Sequence, residues 1–296
     1  MRLHLAPRAR RVGIATVAAT ALLLVGGCSE KEQESLRRLA QPVGATDRSA
    51  GIHHLWMGAW LAAILVGILV WGLIGYACVK FRRRHDDEIP VQTRYNLPIE
   101  ILYTVAPVIM VLVFFFFTVT EQNKVLAAAS ETGPPDHVVT VVGQQWSWAF
   151  NYDKDPALDG RTTVHEVGTT AEPPTLYLPI GKSVELKLRS PDVIHSFWVP
   201  AFLFKMDVIP GKDNHFSFTP TRLGTYRGRC AELCGTYHSR MLFDVKVVSQ
   251  SDYAAHLRRL RQQGSTGSAL GGSEVDQQNG LVNREQDLDS VKGAAE

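Results

Sequence analysis

Apolar and polar positions follow four different rhythms along this chain. After Arg2, Arg8, Arg10 and Arg11, residues Val12 to Val25 are mostly apolar. A basic start followed by an apolar run of about the length of a signal peptide's apolar core predicts a targeting segment. Leu55 to Val79 is then 25 residues without a charge. At 1.5 Å per residue a helix there reaches roughly 37 Å and crosses a bilayer core of about 30 Å with some tilt. Ile101 to Thr120 is a second charge-free run, of 20 residues. Pro107 inside it is tolerable where neighbouring helices satisfy the freed carbonyl. From His137 the rhythm shortens to alternating runs. Val138 to Val142 is one; Val184, Leu186 and Leu188 alternate with Glu185, Lys187 and Arg189; Phe216 and Phe218, then Phe243, Val245 and Val247, do the same. Turn signals recur at Asp159-Gly160, Pro179 to Gly181, Pro210-Gly211 and Gly224. Many short strands over one such stretch predict a β-sandwich or barrel.

Charge and aromatic placement orient the two apolar runs. Trp56 and Trp60 lie near one end of the first, and Trp71 and Tyr76 towards the other, as interfacial belts do. Lys80, Arg82, Arg83 and Arg84 follow at once, so the loop between the runs is cytoplasmic despite Asp86, Asp87 and Glu88. The runs form a hairpin, and everything after Glu121 lies outside. In Gln145-Trp146-Ser147-Trp148 a strand carries both tryptophans on one face; Trp148 is read as core and Trp146 as the more exposed ring. Ser251 to Gln263 reads as a short basic helix with Ser251 as N-cap. Gly264 to Glu296 has no aromatic residue and much Gly, Ser, Gln and Asp, which predicts disorder.

Composition changes this picture little. The length allows two domains, and a net charge of +2 gives no nucleic-acid footprint. The four cysteines are Cys28, Cys78, Cys230 and Cys234. Each has a different job, so no disulfide framework is implied. Cys28 ends Leu24-Val25-Gly26-Gly27-Cys28, which looks like a bacterial lipobox, with a plain signal peptide or an uncleaved anchor as alternatives. Cleavage there removes four arginines and no acid, taking the net charge to −2. Cys78, at the cytoplasmic end of the first run, is read as a packing residue. The divisions are a lipoprotein-type signal peptide (1–27), an extracytoplasmic linker (28–51), a transmembrane hairpin (52–120), a strand-rich domain (121–250), a short helix (251–263) and a disordered tail (264–296).

The chemistry concentrates in Cys230-Ala231-Glu232-Leu233-Cys234-Gly235-Thr236-Tyr237-His238-Ser239-Arg240-Met241, with His195 upstream. Thiolate, imidazole and thioether suit copper or zinc, not calcium or magnesium. A mononuclear blue-copper site has one cysteine, so this loop has one too many. Two bridging thiolates serve two coppers, each with one histidine and one weak axial group: Met241 for one, a backbone carbonyl between the cysteines for the other. A Cys2His2 zinc site is an alternative that leaves Met241 idle, and a Cys230–Cys234 disulfide is another.

The loop closely resembles that of cytochrome c oxidase subunit II, which reads C-x-E-x-C-x3-H-x2-M. The likeness continues in Val193-Ile194-His195-Ser196-Phe197-Trp198-Val199-Pro200 and in Lys205-Met206-Asp207-Val208-Ile209-Pro210-Gly211-Lys212, and covers roughly residues 52–250. The resemblance implies an α+β membrane protein: a two-helix transmembrane hairpin followed by an extracytoplasmic cupredoxin-like Greek-key β-sandwich, in a bacterial cell membrane. It implies a dinuclear copper centre (CuA) held by His195, Cys230, Cys234, His238, Met241 and the carbonyl of Glu232, whose carboxylate reaches a magnesium shared with subunit I. Electrons come from cytochrome c, or from a cytochrome c domain of a respiratory complex, through Trp146. They pass to haem in subunit I, where oxygen is reduced with proton pumping, subunit III being a further partner. Glu100, with Thr104 and Pro107, fits the family's Glu-x-x-x-Thr-x-x-Pro at a proton-uptake channel, and Asp207 matches an acid near the path to subunit I. Two departures stand out. Gln144 replaces the His or Tyr of many relatives. With 14 acids and 13 bases in residues 121–250, no strongly acidic docking face is evident. A quinol oxidase subunit II lacks such copper ligands, and a membrane-tethered copper-delivery protein needs neither Glu100 nor the Trp146 segment. No Cys-x-x-Cys-His occurs, so no c-type haem is fused to the chain.

Overall fold

The computed structural model describes residues 29–85, 87–89, 92–127 and 133–269. The signal segment, Cys28 and residues 270–296 lie outside the described residues. The chain forms two compact units, divided after Pro42. In the first, α1 (Glu30–Arg37) starts where Ser29 and Glu32 cap each other: the Ser29 hydroxyl accepts from Glu32 N, and the Glu32 carboxylate accepts from Ser29 N. This reciprocal cap satisfies two otherwise orphaned donors.

The second unit begins with the hairpin. Helix α2 (Ser49–Lys80) starts six residues before the first apolar run and ends one residue after it, and α3 (Leu97–Leu126) extends the second run by four residues at its start and six at its end. Their mean hydropathies over the most apolar stretch are 2.3 and 2.4, with none of that stretch buried in the chain itself. Apolar side chains facing outward along 32 and 30 residues are expected of helices solvated by lipid or a partner, not by water. Asn96 caps α3 through its side chain, and Pro98 occupies the first turn, where its missing N–H costs nothing.

Ten strands make two five-stranded sheets among the described residues. They are β1 (His137–Gln144), β2 (Ser147–Tyr152), β3 (Val164–Val167), β4 (Thr175–Pro179), β5 (Val184–Arg189), β6 (His195–Val199), β7 (Phe204–Val208), β8 (Asn214–Phe218), β9 (Gly224–Cys230) and β10 (Leu242–Val248). The sheet orders are β3-β2-β1-β5-β8 and β4-β10-β9-β6-β7. Two pairings, β1 with β5 and β10 with β4, are parallel; the rest are antiparallel. Alternation decides which side chains face inward. Phe243, Val245 and Val247 are buried while their neighbours are only half so, and Val184, Leu186 and Leu188 repeat the pattern. Together with Trp148, Phe150 and Phe197 they fill the space between the sheets. The result is the cupredoxin-like Greek-key sandwich expected from the sequence.

Three expectations are corrected. Gln145 and Trp146 form a two-residue turn, and β2 starts only at Ser147. Trp148 is fully buried while Trp146 is half-buried. Alternating aromatics look like a strand whether or not a tight turn interrupts them. Helix α4 (Gln250–Gln262) is capped by Ser249, whose hydroxyl accepts from Asp252 N at 3.1 Å, not by Ser251. Finally, the first residues of the expected disordered tail are fastened to the sandwich. His165 N donates to Ser265 O, Gly267 N donates to Thr163 O, and the buried Asn151 side chain bonds both backbone groups of Ala269. Backbone hydrogen bonds need no apolar side chain, so composition does not reveal them.

Two further features position the site. The chain entering α2 is bonded to the sandwich: Ala45 N donates to Ala201 O at 2.8 Å, Asp47 N to Thr219 O at 3.0 Å, and the Ser49 hydroxyl to Phe202 O at 3.3 Å. At the core's other flank, α4 buries Tyr253, His256, Leu257 and Leu260. The Tyr253 hydroxyl reaches the fully buried Asp155 at 2.6 Å, beside His137 at 2.9 Å.

Candidate metal centre

Strand β9 ends at Cys230 and β10 begins at Leu242, so the ligand loop hangs between two adjacent strands. Cys230 N donates to Met241 O at 3.0 Å and closes its base. A short 3-10 turn over His238–Arg240 directs His238 back towards Cys234. His195 opens β6, which pairs with β9 so that Phe197 faces Cys230. Sheet register therefore brings His195 to a loop 35 residues away.

The sulfurs of Cys230 and Cys234 lie 3.9 Å apart, unbonded, and both cysteines are buried. On one side, His195 Nδ1 is 3.9 Å and the Glu232 carbonyl 3.2 Å from Cys230 Sγ. On the other, His238 Nδ1 is 3.6 Å and Met241 Sδ 3.8 Å from Cys234 Sγ. The donor atoms of His195, Cys230 and Cys234 all fall within 4.8 Å of one another. Donors bound to one ion at a tetrahedral angle with bonds of about 2.0–2.3 Å stand roughly 3.3–3.8 Å apart. The spacings fit soft ions between the donors, and the set divides into two halves that share two sulfurs. Each half has one imidazole nitrogen and one weak donor, the ligand preference of copper.

The electrostatics point the same way. Burial is the largest influence on the Cys230 thiol and raises it, but hydrogen bonding with His195 and with the backbone of Glu232 and Ser196, together with the His195 charge, outweighs burial and brings the group to about 7. Burial and the nearby Cys230 charge push Cys234 up to about 12. Once one sulfur ionises, the second resists; two thiolates this close require compensating positive charge, which metal ions provide. Met241 is fully buried and Trp148 packs beside it, its indole N–H 3.4 Å from Met241 O and its ring 6.3 Å from that of His195.

The loop also meets the β1–β2 turn. Trp146 Nε1 and Gln145 Nε2 both donate to Cys234 O, at 3.2 and 2.7 Å, and the Trp146 ring stands edge-on to Tyr237 at 5.1 Å. Gly235 makes the approach possible. Its φ is +122°, and a Cβ there would lie 3.1 Å from Trp146 Cζ2.

The remaining expected site residues are dispersed. The Glu232 carboxylate is exposed at the loop's rim, and Asp207 is half-buried on β7. Glu100, far along the chain in the first turn of α3, accepts from Asn96 N at 2.8 Å, and Thr104 Oγ1 donates to Glu100 O at 2.7 Å. Cys28 lies outside the described residues. One participant was not anticipated. Asp192 Oδ1 lies 2.8 Å from His195 Nε2, the ring nitrogen facing away from the sulfurs. An aspartate in a turn three residues before a ligand histidine was the only signal in the sequence.

Comparison with known proteins is consistent along the chain. Residues 36–120 match the family described as "Cytochrome C oxidase subunit II, transmembrane domain", and residues 137–248 match "Cytochrome C oxidase subunit II, periplasmic domain". The chain is 44% identical over 295 residues to a "Probable cytochrome c oxidase subunit 2" of Streptomyces avermitilis, covering 88% of this chain and 90% of that protein. It is 34% identical over 302 residues to "Cytochrome c oxidase subunit 2" of Mycobacterium tuberculosis, covering 84% and 82%. Among solved structures, the periplasmic domain of subunit II of cytochrome oxidase of Bradyrhizobium japonicum is 26% identical with a TM-score of 0.39, over 44% of this chain and 96% of that one.

Proposed function

The chain belongs to the cytochrome c oxidase subunit II family, and from that premise we propose that it is the electron-accepting subunit of a bacterial haem-copper oxidase, with a dinuclear copper centre in its sandwich domain. The observation that carries the reading is the pair of sulfurs 3.9 Å apart, each flanked by one imidazole nitrogen and one weak donor. Cys230, Cys234, His195 Nδ1 and His238 Nδ1 would hold the copper strongly, and Met241 Sδ and the Glu232 carbonyl would hold it more weakly. A thiolate-bridged copper pair takes up and releases one electron with the charge change shared between both ions, so little around it reorganises.

The chain's own residues make that possible. Trp148, Phe197 and Phe243 pack the inner side of the loop and keep water from it. Pairing of β6 with β9 sets Phe197 opposite Cys230 and so carries His195 to the loop on a rigid sheet. Trp146 presents an indole at the domain's surface whose N–H is bonded to a ligand residue's carbonyl. Electrons from cytochrome c, or from a cytochrome c domain of a larger complex, are taken up here. The exposed Ile194, Leu233 and Tyr237 around the loop offer that donor an apolar rim.

From this subunit electrons pass to haem in subunit I, where oxygen is reduced. The Glu232 carboxylate would bind magnesium at that junction, a role suited to a hard oxygen donor; magnesium content of the oxidase should fall in Glu232→Gln. Glu100 would feed protons into subunit I from the cytoplasmic side. The protein is thus a two-pass protein of the bacterial cell membrane with its copper domain outside, and a lipidated Cys28 would begin the mature chain. An intact mass starting at Met1, or an unmodified cut elsewhere, rejects the lipidation.

The deciding experiment is metal analysis with spin resonance on the purified complex. Two coppers per chain with a mixed-valence signal spread over both nuclei are expected, with loss of the signal in Cys230→Ser or Cys234→Ser. One copper with an ordinary single-copper spectrum rejects the dinuclear centre. Co-purification with a haem subunit distinguishes this role from that of a free-standing copper-delivery protein.

A further inference from the structure

We propose that Asp192 is a positioning residue that joins the electron-accepting turn Gln145–Trp146 and the ligand His195 into one rigid unit; this deepens the copper reading above and rests on it. The Asp192 side chain is only 8% exposed. Its Oδ1 accepts from Val193 N at 2.6 Å and Ser190 Oγ at 3.1 Å, and lies 2.8 Å from His195 Nε2; its Oδ2 accepts from Gln145 N at 2.6 Å. A carboxylate has about four acceptor sites, so these contacts use its whole capacity.

A local turn accounts for half of this set. The bonds to Val193 N and Ser190 Oγ are what a short polar side chain in a loop makes with its own surroundings. Of the other two, one reaches the candidate ligand His195 three residues on, and the one to Gln145 spans 47 residues and joins separate loops. Burying a carboxylate is costly, and no lysine or arginine forms an ion pair with this one among the described residues. A neutral Asn or Ser would serve the turn without that cost. What only a carboxylate supplies is an acceptor for two outward N–H groups at once. With the proton of His195 held on Nε2, Nδ1 is left as a lone pair facing Cys230.

The contacts close a ring. Asp192 holds His195; His195 faces Cys230 and, beside it, Cys234; the Cys234 carbonyl accepts from Trp146 and Gln145; Gln145 N returns to Asp192. A displacement of the turn is therefore felt at the ligand, and the reverse. Asn at this position has a single acceptor oxygen and cannot serve both N–H groups, and Ala serves neither.

The test uses the whole oxidase, purified with parent, Asp192→Asn, Asp192→Ala, Trp146→Ala and Asp192→Asn/Trp146→Ala chains. Three readouts are taken: copper loss to a chelator, the spin-resonance spectrum, and electron transfer from reduced cytochrome c. Both Asp192 variants should lose copper about tenfold faster or more, as changes to groups orienting metal ligands do, with an altered spectrum. Donor kcat/KM should fall by a similar factor. The double variant should transfer electrons no more slowly than Trp146→Ala alone, because residues acting through one another are not additive. If Asp192→Ala does not assemble, Asp192→Asn decides. A parent-like spectrum and copper-loss rate overturns the proposal. So does an altered spectrum with donor transfer at the parent rate, or full additivity in the double variant. Absence of copper from the parent complex rejects the copper reading itself, whereas a normal parent with unaffected variants rejects this inference alone.

Discussion

Gly235→Ala tests whether the close approach of the Trp146 turn to the ligand loop matters. At φ +122° an L side chain is strained, and its Cβ would meet Trp146 Cζ2 at 3.1 Å and both Trp146 Nε1 and Gln145 Nε2 at 3.2 Å. Holding a non-glycine residue in so sparsely populated a region costs about 1–3 kcal/mol. If the loop keeps its shape, the indole and the amide must retreat by a few tenths of an ångström. The bonds to Cys234 O, 2.7 and 3.2 Å long, are then weakened, at about 1 kcal/mol each. Together the change should cost about 3–5 kcal/mol, which lowers the midpoint by roughly ten degrees or more. None of the six metal-donor residues is altered, so metal content should hold while electron transfer from cytochrome c slows. Thermal unfolding followed by circular dichroism, beside stopped-flow reduction by cytochrome c, measures both. A variant with parental midpoint and parental reduction rate refutes the reasoning. A variant that loses metal yet keeps its midpoint also refutes it, because the damage would then be at the ligands.

Other changes separate the roles of individual residues. Tyr253→Phe removes the hydroxyl bonded to buried Asp155 and should cost about 1.5–3 kcal/mol in denaturant unfolding, as bonds to charged groups do, with an unchanged metal spectrum; a shifted spectrum would mean that α4 and the site are coupled. Met241→Leu keeps the buried volume, so stability should fall by less than about 1.5 kcal/mol, and the spin signal should be disturbed but not abolished; complete loss would make Met241 a strong ligand. Glu100→Ala should leave assembly and copper intact while oxygen consumption falls in a pH-dependent way, and Glu100→Asp should lose less. An Ala variant turning over at the parent rate at every pH tested leaves Glu100 with only its capping bond to Asn96 N.

The parts of the fold written in periodicity were legible from the sequence. The two charge-free runs became α2 and α3, and the alternating residues of β1, β5, β8 and β10 became strands facing one core. Strands β3 and β4 are short, and β6 and β7 are interrupted by nothing but the Pro200–Phe202 turn, so none of them shows a clear rhythm. The candidate ligand residues stand out in the sequence because sulfur and imidazole are rare and closely spaced, and the fold brings their donor atoms together. Asp192 was not, because an aspartate in a turn is common and its contact with Gln145 depends on two loops meeting in space. Trp146 was assigned to the wrong element for a related reason: a two-residue turn between paired strands preserves the alternation that suggests a strand. Residues 265–269 escaped notice because what holds them is backbone and one buried asparagine, neither of which leaves a compositional trace.

The bonds from Ala45, Asp47 and Ser49 to the sandwich act as a bracket between the first membrane helix and the metal-bearing domain. A domain on a loose tether can collect its cargo in one place and swing to deliver it in another, and its speed is then set by the friction of that swing. A bracketed domain cannot travel. The gap from the ligand loop to the membrane is fixed by construction, and the inward hop proceeds at the same pace in thin or thick solvent. On the function proposed above all the commuting is left to the donor, so where that donor is a diffusing cytochrome c, solvent viscosity should tax that leg of the journey alone.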